Sequence, residues 1–147
     1  MTEKTLAQIS AVAIAGRAVL IEGPPGSGKS SLTLALIDRG AQLIGDDAVR
    51  LVREGDRIIA HPPANIQGKL EIRNVGLVDL PAATAPVGLV LTLSQDPPRY
   101  RESADIRVLL GLEIPSLPFA PGAIAPAIRA EWALRVHGLA RATSPVE

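Results

Sequence analysis

The stretch Ala18-Val19-Leu20-Ile21-Glu22-Gly23-Pro24-Pro25-Gly26-Ser27-Gly28-Lys29-Ser30 decides the fold. A short apolar run passes into G-x-x-x-x-G-K-S, and a helix-forming segment, Leu32-Thr33-Leu34-Ala35-Leu36-Ile37, follows at once. Strand, phosphate loop and helix in that order form the context in which this motif carries meaning. Glycines allow successive backbone N–H groups to turn inward and make a nest for an anion. The following helix aims its positive end at the same point. Gly23, Pro24, Pro25, Gly26, Ser27, Gly28, Lys29, Ser30 and Ser31 are therefore expected to hold a nucleotide's phosphates. Lys29 is expected on the β- and γ-phosphates and the Ser30 hydroxyl on Mg²⁺. The competing reading is a glycine-rich turn between strand and helix that binds nothing, and the strand–loop–helix context favours the phosphate loop over it.

Working outward, Ile9 to Ile14 and Ala18 to Glu22 are β-prone runs about Gly16-Arg17 and predict a hairpin. The helix from about Lys29 stops at Gly40. Ala41 to Ile44 reads as a strand ending in Gly45-Asp46-Asp47. Val49 to Arg53 and Arg57 to Ala60 flank a turn at Glu54-Gly55-Asp56. Leu70 to Arg73 and Val75 to Leu80 are further strand segments, and Pro81 to Pro86 is a loop. Val87 to Leu93 is the most apolar strand and is expected at the centre of the sheet. Ser94 to Ala104 reads as an exposed loop, and Ile106 to Leu112 as a strand. Ile114 to Phe119, broken by Pro115 and Pro118, is expected near an edge. A last helix opens at Pro121-Gly122 and runs to about Leu139, with Ile124, Ile128, Trp132, Val136 and Leu139 spaced to face the core. The tail after Arg141 is expected to fray.

The composition narrows the classes. A chain of 147 residues with 47% hydrophobic residues suits one globular domain, residues 1–147, with a sizeable core. Its formal charge is zero, which gives no support to a nucleic-acid or membrane-surface partner. It has no cysteine, so disulfides and thiolate metal sites are excluded, and a reducing, cytoplasmic setting is expected. No apolar run is long enough to span a membrane, and no signal-peptide pattern is seen. Aromatics are only 2%, so a bound base would rest on aliphatic or backbone surface. The pattern is a β-rich α/β fold with only two long helices, unlike P-loop enzymes in which helices alternate with strands throughout.

Phosphoryl transfer needs an acid beside the loop. Asp46 and Asp47 are the candidates. A helical crossover of this length can return a parallel strand beside the loop strand, and the ends of parallel strands share one edge of a sheet. A plain turn pair is the alternative for the two aspartates.

The order GPPGSGKSS, then LIGDD, then LEIRNVGLVDL resembles the catalytic domain of the bacterial HPr kinase/phosphorylase family, from about Gln8 to Arg135. It is similar to the short form of that family, without the N-terminal domain, found in α-proteobacteria. The resemblance implies a P-loop kinase fold similar to HPr kinase and phosphoenolpyruvate carboxykinase. It implies transfer of phosphate from ATP, with Mg²⁺, to a serine of HPr, the small phosphocarrier of the sugar phosphotransferase system. It also implies the reverse phosphorolysis and a hexameric assembly. By position, Asp46 becomes the base on the incoming hydroxyl. Ser30, Asp47 and the signature glutamate, Glu71, become the metal ligands. Arg99, with Arg101 close by, becomes the arginine that neutralises the transferring group.

The chain departs from the family pattern at named places. Gln8 stands where the family has a histidine, and glutamine takes no proton at neutral pH. Asn74 replaces the first signature glycine, at a position where asparagine tolerates left-handed backbone. The segment Pro115 to Gly122 lacks the family's basic residues. Phosphorolysis is therefore expected to be absent. The rivals are a small-substrate kinase or nucleotide hydrolase on the same fold, and an ATP-sensing regulatory module. His61, His137, Arg129 and Arg135 read as surface residues, and Trp132 as core.

Overall fold

The computed structural model describes residues 2–64, 67–122 and 124–140. Strands β1 (Glu3–Ala7), β2 (Ile9–Ile14) and β3 (Arg17–Glu22) lead into helix α1 (Lys29–Asp38). Then come β4 (Gln42–Gly45), β5 (Ala48–Glu54), β6 (Arg57–His61), β7 (Lys69–Ile72) and β8 (Gly76–Asp79). The chain continues through β9 (Ala85–Leu93), β10 (Asp105–Leu109) and β11 (Leu112–Phe119) to helix α2 (Pro126–His137). The tail from Arg141, expected to fray, lies outside the described residues.

β2 and β3 form the expected hairpin, with Val12 opposite Val19. β9 is the hub of the main sheet. One edge of it runs parallel to β3. Its other edge pairs with β6 at Ala85 and Pro86 and then with β11 from Val90 to Leu93. The order β1-β5-β6-β9-β3-β2-β4 branches there to β11 and β10, and β7–β8 is a separate two-stranded hairpin. Strand side chains alternate between two faces. On β3, Ala18 and Leu20 enter one apolar cluster, while Val19 and Ile21 enter the other with Leu32 and Leu36 of α1. Both faces are covered, which is why 18–21 and 87–93 read as nearly unbroken apolar runs.

Four expectations are corrected. β4 runs parallel to β3 but is not its neighbour, because β2 lies between them and pairs antiparallel with both. The segment 106–112 is not one strand. It turns at Leu110-Gly111, both at positive φ, between β10 and β11. β11 is not an edge strand, since it pairs with β10 and with β9. Its prolines are accommodated because each falls within only one ladder. Pro115 sits opposite Ile106 before the β9 ladder begins, and Pro118 opposite Thr92 after the β10 ladder has ended.

The fourth correction concerns α2. The stripe Ile124, Ile128, Trp132, Val136 and Leu139 faces outward, with Ile124 81% and Trp132 53% exposed. The buried face is Ala127, Ala130 and Leu134. Small residues let the helix lie close on the sheet, and a Cβ at Gly88 of β9 would meet Leu134 Cδ1 at 3.1 Å. Arg17 ties the far end by donating to the carbonyls of Leu134 and Leu139. Arg39 at the end of α1 pairs with Glu131. Leu134→Ala is therefore expected to cost about 2–4 kcal/mol in a denaturant melt, and Trp132→Ala about 1 kcal/mol or less. The reverse order would return the large stripe to the core.

Candidate active site

The loop between β3 and α1 has the shape an anion needs. Gly26 and Gly28 lie at φ 81° and 104°, the left-handed region that glycine enters without strain. No side chain caps α1, so the amides of its first turn, at Lys29, Ser30 and Ser31, keep their hydrogens free. Ser27 Oγ is buried without a hydrogen-bond partner. Lys29 is 8% exposed, and its Nζ donates to the carbonyls of Gly23 at 2.6 Å and Pro24 at 3.3 Å.

Asp46 reaches this loop. The chain bends sharply after Gly45, where any Cβ would lie 2.1 Å from the Ala48 carbonyl oxygen. The bend puts Asp46 Oδ1 where it accepts from Ser30 Oγ at 3.0 Å and from Ser10 Oγ at 3.1 Å. Ser10, fully buried on β2, in turn accepts from the Asp47 amide at 3.3 Å. The intervening strand thus carries the hydroxyl that orients the aspartate. Asp46 Oδ2 faces only the Glu71 backbone nitrogen, at 3.5 Å. Asn74, at φ 67°, turns the β7–β8 hairpin that delivers Glu71.

The structure therefore brings Lys29, Ser30 and Asp46 together and sets the backbone of Glu71 against Asp46. It does not bring Asp47, which is exposed at φ 65° with its carbonyl accepting from the Gln8 amide at 2.9 Å. Arg99 is exposed and has no contact with this group. Arg101 is committed to an ion pair with Asp105.

Among the described residues no cluster of three or more His, Cys, Asp or Glu side chains is arranged for a metal. What stands at the loop is oxygen, the Ser30 hydroxyl and the Asp46 carboxylate, with the hairpin that carries Glu71 beside them. That oxygen-only, few-ligand set fits Mg²⁺, which keeps several waters and takes the rest from phosphates.

One polar group here escaped the sequence reading. Glu22, the last residue before the loop, accepts from Thr92 Oγ1 at 2.6 Å and from both terminal nitrogens of Arg107, one at 3.0 Å. Thr92 lies opposite Glu22 in the parallel ladder, but Arg107 comes from β10. Nothing local in the sequence links Arg107 to Glu22; Ser10 was missed as well, though a hydroxyl inside an apolar strand is a signal that could have found it. Burial pushes the Glu22 carboxyl up, but the hydrogen bonds from Arg107 and Thr92 outweigh it and hold it below the usual 4.5. A depressed folded value gives stability that is complete above 4.5 and is lost as pH falls through the lowered value. Glu22→Gln is expected to lose about 1–2 kcal/mol at neutral pH. The gap from wild type should shrink on acidification, as read from urea melts across that range. A pH-independent gap would remove the charge from the account.

A sequence model of the HPr serine kinase C-terminal domain matches residues 1–84. The HPr kinase/phosphorylase of Clostridium acetobutylicum is 34% identical over 92% of this chain and 50% of its own length. That of Bordetella pertussis is 47% identical over 46% of this chain and 22% of its own. The chain thus spans between about a fifth and a half of these curated relatives. The solved HPr(Ser) kinase/phosphatase of Coxiella burnetii superposes with a TM-score of 0.79 at 28% identity, covering 90% of this chain and 94% of that one. The strand–loop–helix unit, the β-rich sheet and these matches agree, and the chain belongs to the HPr serine kinase C-terminal domain family.

Proposed function

We propose that this chain is an ATP- and Mg²⁺-dependent kinase, one catalytic unit over residues 1–147, acting on a serine of an HPr-type phosphocarrier. The observation that supports this most is the Asp46 carboxylate hydrogen-bonded to Ser30 at the mouth of the glycine loop. The relatives bear the names HPr kinase/phosphorylase and HPr(Ser) kinase/phosphatase.

The loop amides and Lys29 bind the phosphates, with the ammonium leaving the Gly23 and Pro24 carbonyls to do so. The acceptor hydroxyl attacks the γ-phosphorus in line, its oxygen bonding as the bond to the ADP oxygen breaks. The hydroxyl proton passes to Asp46 Oδ2, the oxygen not engaged by Ser30 and Ser10. Ser30, with Glu71 from the neighbouring hairpin, would hold Mg²⁺, which when bound would neutralise charge on the phosphate oxygens. Asp47 serves through its backbone, and Arg99 would have to move to take part.

Gln8 and the uncharged 115–122 segment favour a one-way catalyst without phosphorolysis. They also keep open the second reading, a module that senses ATP without transferring it. Labelled ATP, Mg²⁺ and HPr are expected to yield serine phosphate that depends on HPr. Asp46→Asn should lower that yield about 10²–10⁴-fold with nucleotide binding retained. Transfer unchanged by Asp46→Asn sinks the base assignment. No transfer by wild type, with ATP bound, favours the sensor. Phosphate released from phospho-HPr at a rate matching the forward reaction would refute the one-way reading.

A further inference from the structure

Glu22, the last residue of β3, puts a carboxylate directly before a loop shaped for an anion. Such a charge opposes an arriving polyphosphate unless a cation offsets it. Arg107 is that cation, and it donates to Glu22 from both terminal nitrogens. The Glu22 side chain is 19% exposed and that of Arg107 37%, so the arginine still reaches solvent.

The pair has a definite place relative to the rest of the site. β3 has β2 on one edge and β9 on the other. Asp46 is tied to Ser10 of β2. Arg107 is tied to Glu22 and Thr92, which stand opposite each other on β3 and β9. The Gly23 carbonyl, next in the chain after Glu22, receives Lys29 Nζ at 2.6 Å. Arg107 therefore carries its charge beside the resting place of the Lys29 ammonium, on the flank away from Asp46.

From this placement we propose that Arg107 contacts the terminal phosphate of the bound nucleotide and neutralises the charge that develops there during transfer. The inference rests on the kinase reading above, with the proton acceptor on one flank of the moving group and the guanidinium on the other.

A guanidinium has five N–H donors in a planar fork. Glu22 takes one from Nη1 and one from Nη2, and Thr92 Oγ1 lies 3.5 Å from Nη2. The Nε hydrogen and the second Nη1 hydrogen have no partner among the described residues. Arg107 can thus stay on Glu22 and still donate to phosphate oxygens. Glu22 is then a positioning residue, in the manner of the carboxylate that orients a phosphate-binding lysine in protein kinases. Other arginines near the loop are spent or distant. Arg101 pairs with Asp105, and Arg129 donates to the carbonyls of Ala120, Pro121 and Ile124. Arg99 is exposed and touches none of the site.

The test separates the cation from the ion pair. Arg107→Gln and Glu22→Gln break the same pair, so a purely structural role predicts equal effects from both. Titration calorimetry with ATP and with ADP, each with Mg²⁺, reads the terminal phosphate, and ADP binding reports an intact loop. Arg107→Gln should weaken ATP about tenfold and ADP less than twofold, and should lower serine transfer to HPr about 10²–10³-fold. Glu22→Gln should keep the ATP-to-ADP ratio within about threefold of wild type, because the cation remains. The double variant leaves no lone charge behind and should show the same tenfold fall as Arg107→Gln. A ratio unchanged by Arg107→Gln overturns the proposal. So does an equal change from Glu22→Gln, recovery in the double variant, or equal loss of ATP and ADP. A wild type that binds both nucleotides but transfers nothing to HPr overturns the kinase reading, and the ratio then decides this inference by itself. A wild type that binds neither overturns both.

Discussion

The hydrogen bond from Ser30 to Asp46 is the constraint on which the rest of the site depends. It joins the first turn of α1 to the bend after β4, sixteen positions apart in sequence. Three unrelated requirements meet to make it. Gly45 must lack a side chain so that the chain can fold back over the Ala48 carbonyl. β2 must carry a small hydroxyl at Ser10 to take the second lone pair direction of the same oxygen. The β7–β8 hairpin must close over Oδ2. A carboxylate gripped by two hydroxyls on one oxygen presents its other oxygen in a fixed direction, which is what proton transfer in a reacting complex demands.

Much of this was legible in the sequence, and the reasons are local. Strand, loop and helix around residues 18–38 are contiguous, so their chemistry is written in neighbouring residues. β9 announced itself as central because a strand covered on both faces is apolar at every position. Asn74 was readable as a left-handed turn residue because its tolerance is intrinsic.

The rest depended on partners that spacing does not name. The crossover through α1 sets the direction of β4 but not its neighbour, and the antiparallel β2 took the place beside β3. Helical periodicity found two faces on α2 and favoured the larger side chains. The sheet beneath has Gly88, which rewards close approach, so the alanine face packs instead. The prolines of β11 looked like edge markers, yet two short ladders that overlap only at Ser116 leave each of them room. Arg107 meets Glu22 only because β10, β11, β9 and β3 lie side by side, a fact of topology alone.

Lys29 gives the loop a particular character. Its ammonium rests on the backbone oxygens of Gly23 and Pro24, so its positive charge is already solvated by the protein. On the proposed kinase reading, an arriving polyphosphate would not fill an electrostatic void. It competes with two carbonyl dipoles for one cation, and the difference between those two attachments, not the full strength of either, enters the affinity. On that proposed reading such an exchange would ease product departure relative to a bare lysine, because the cation has somewhere to return.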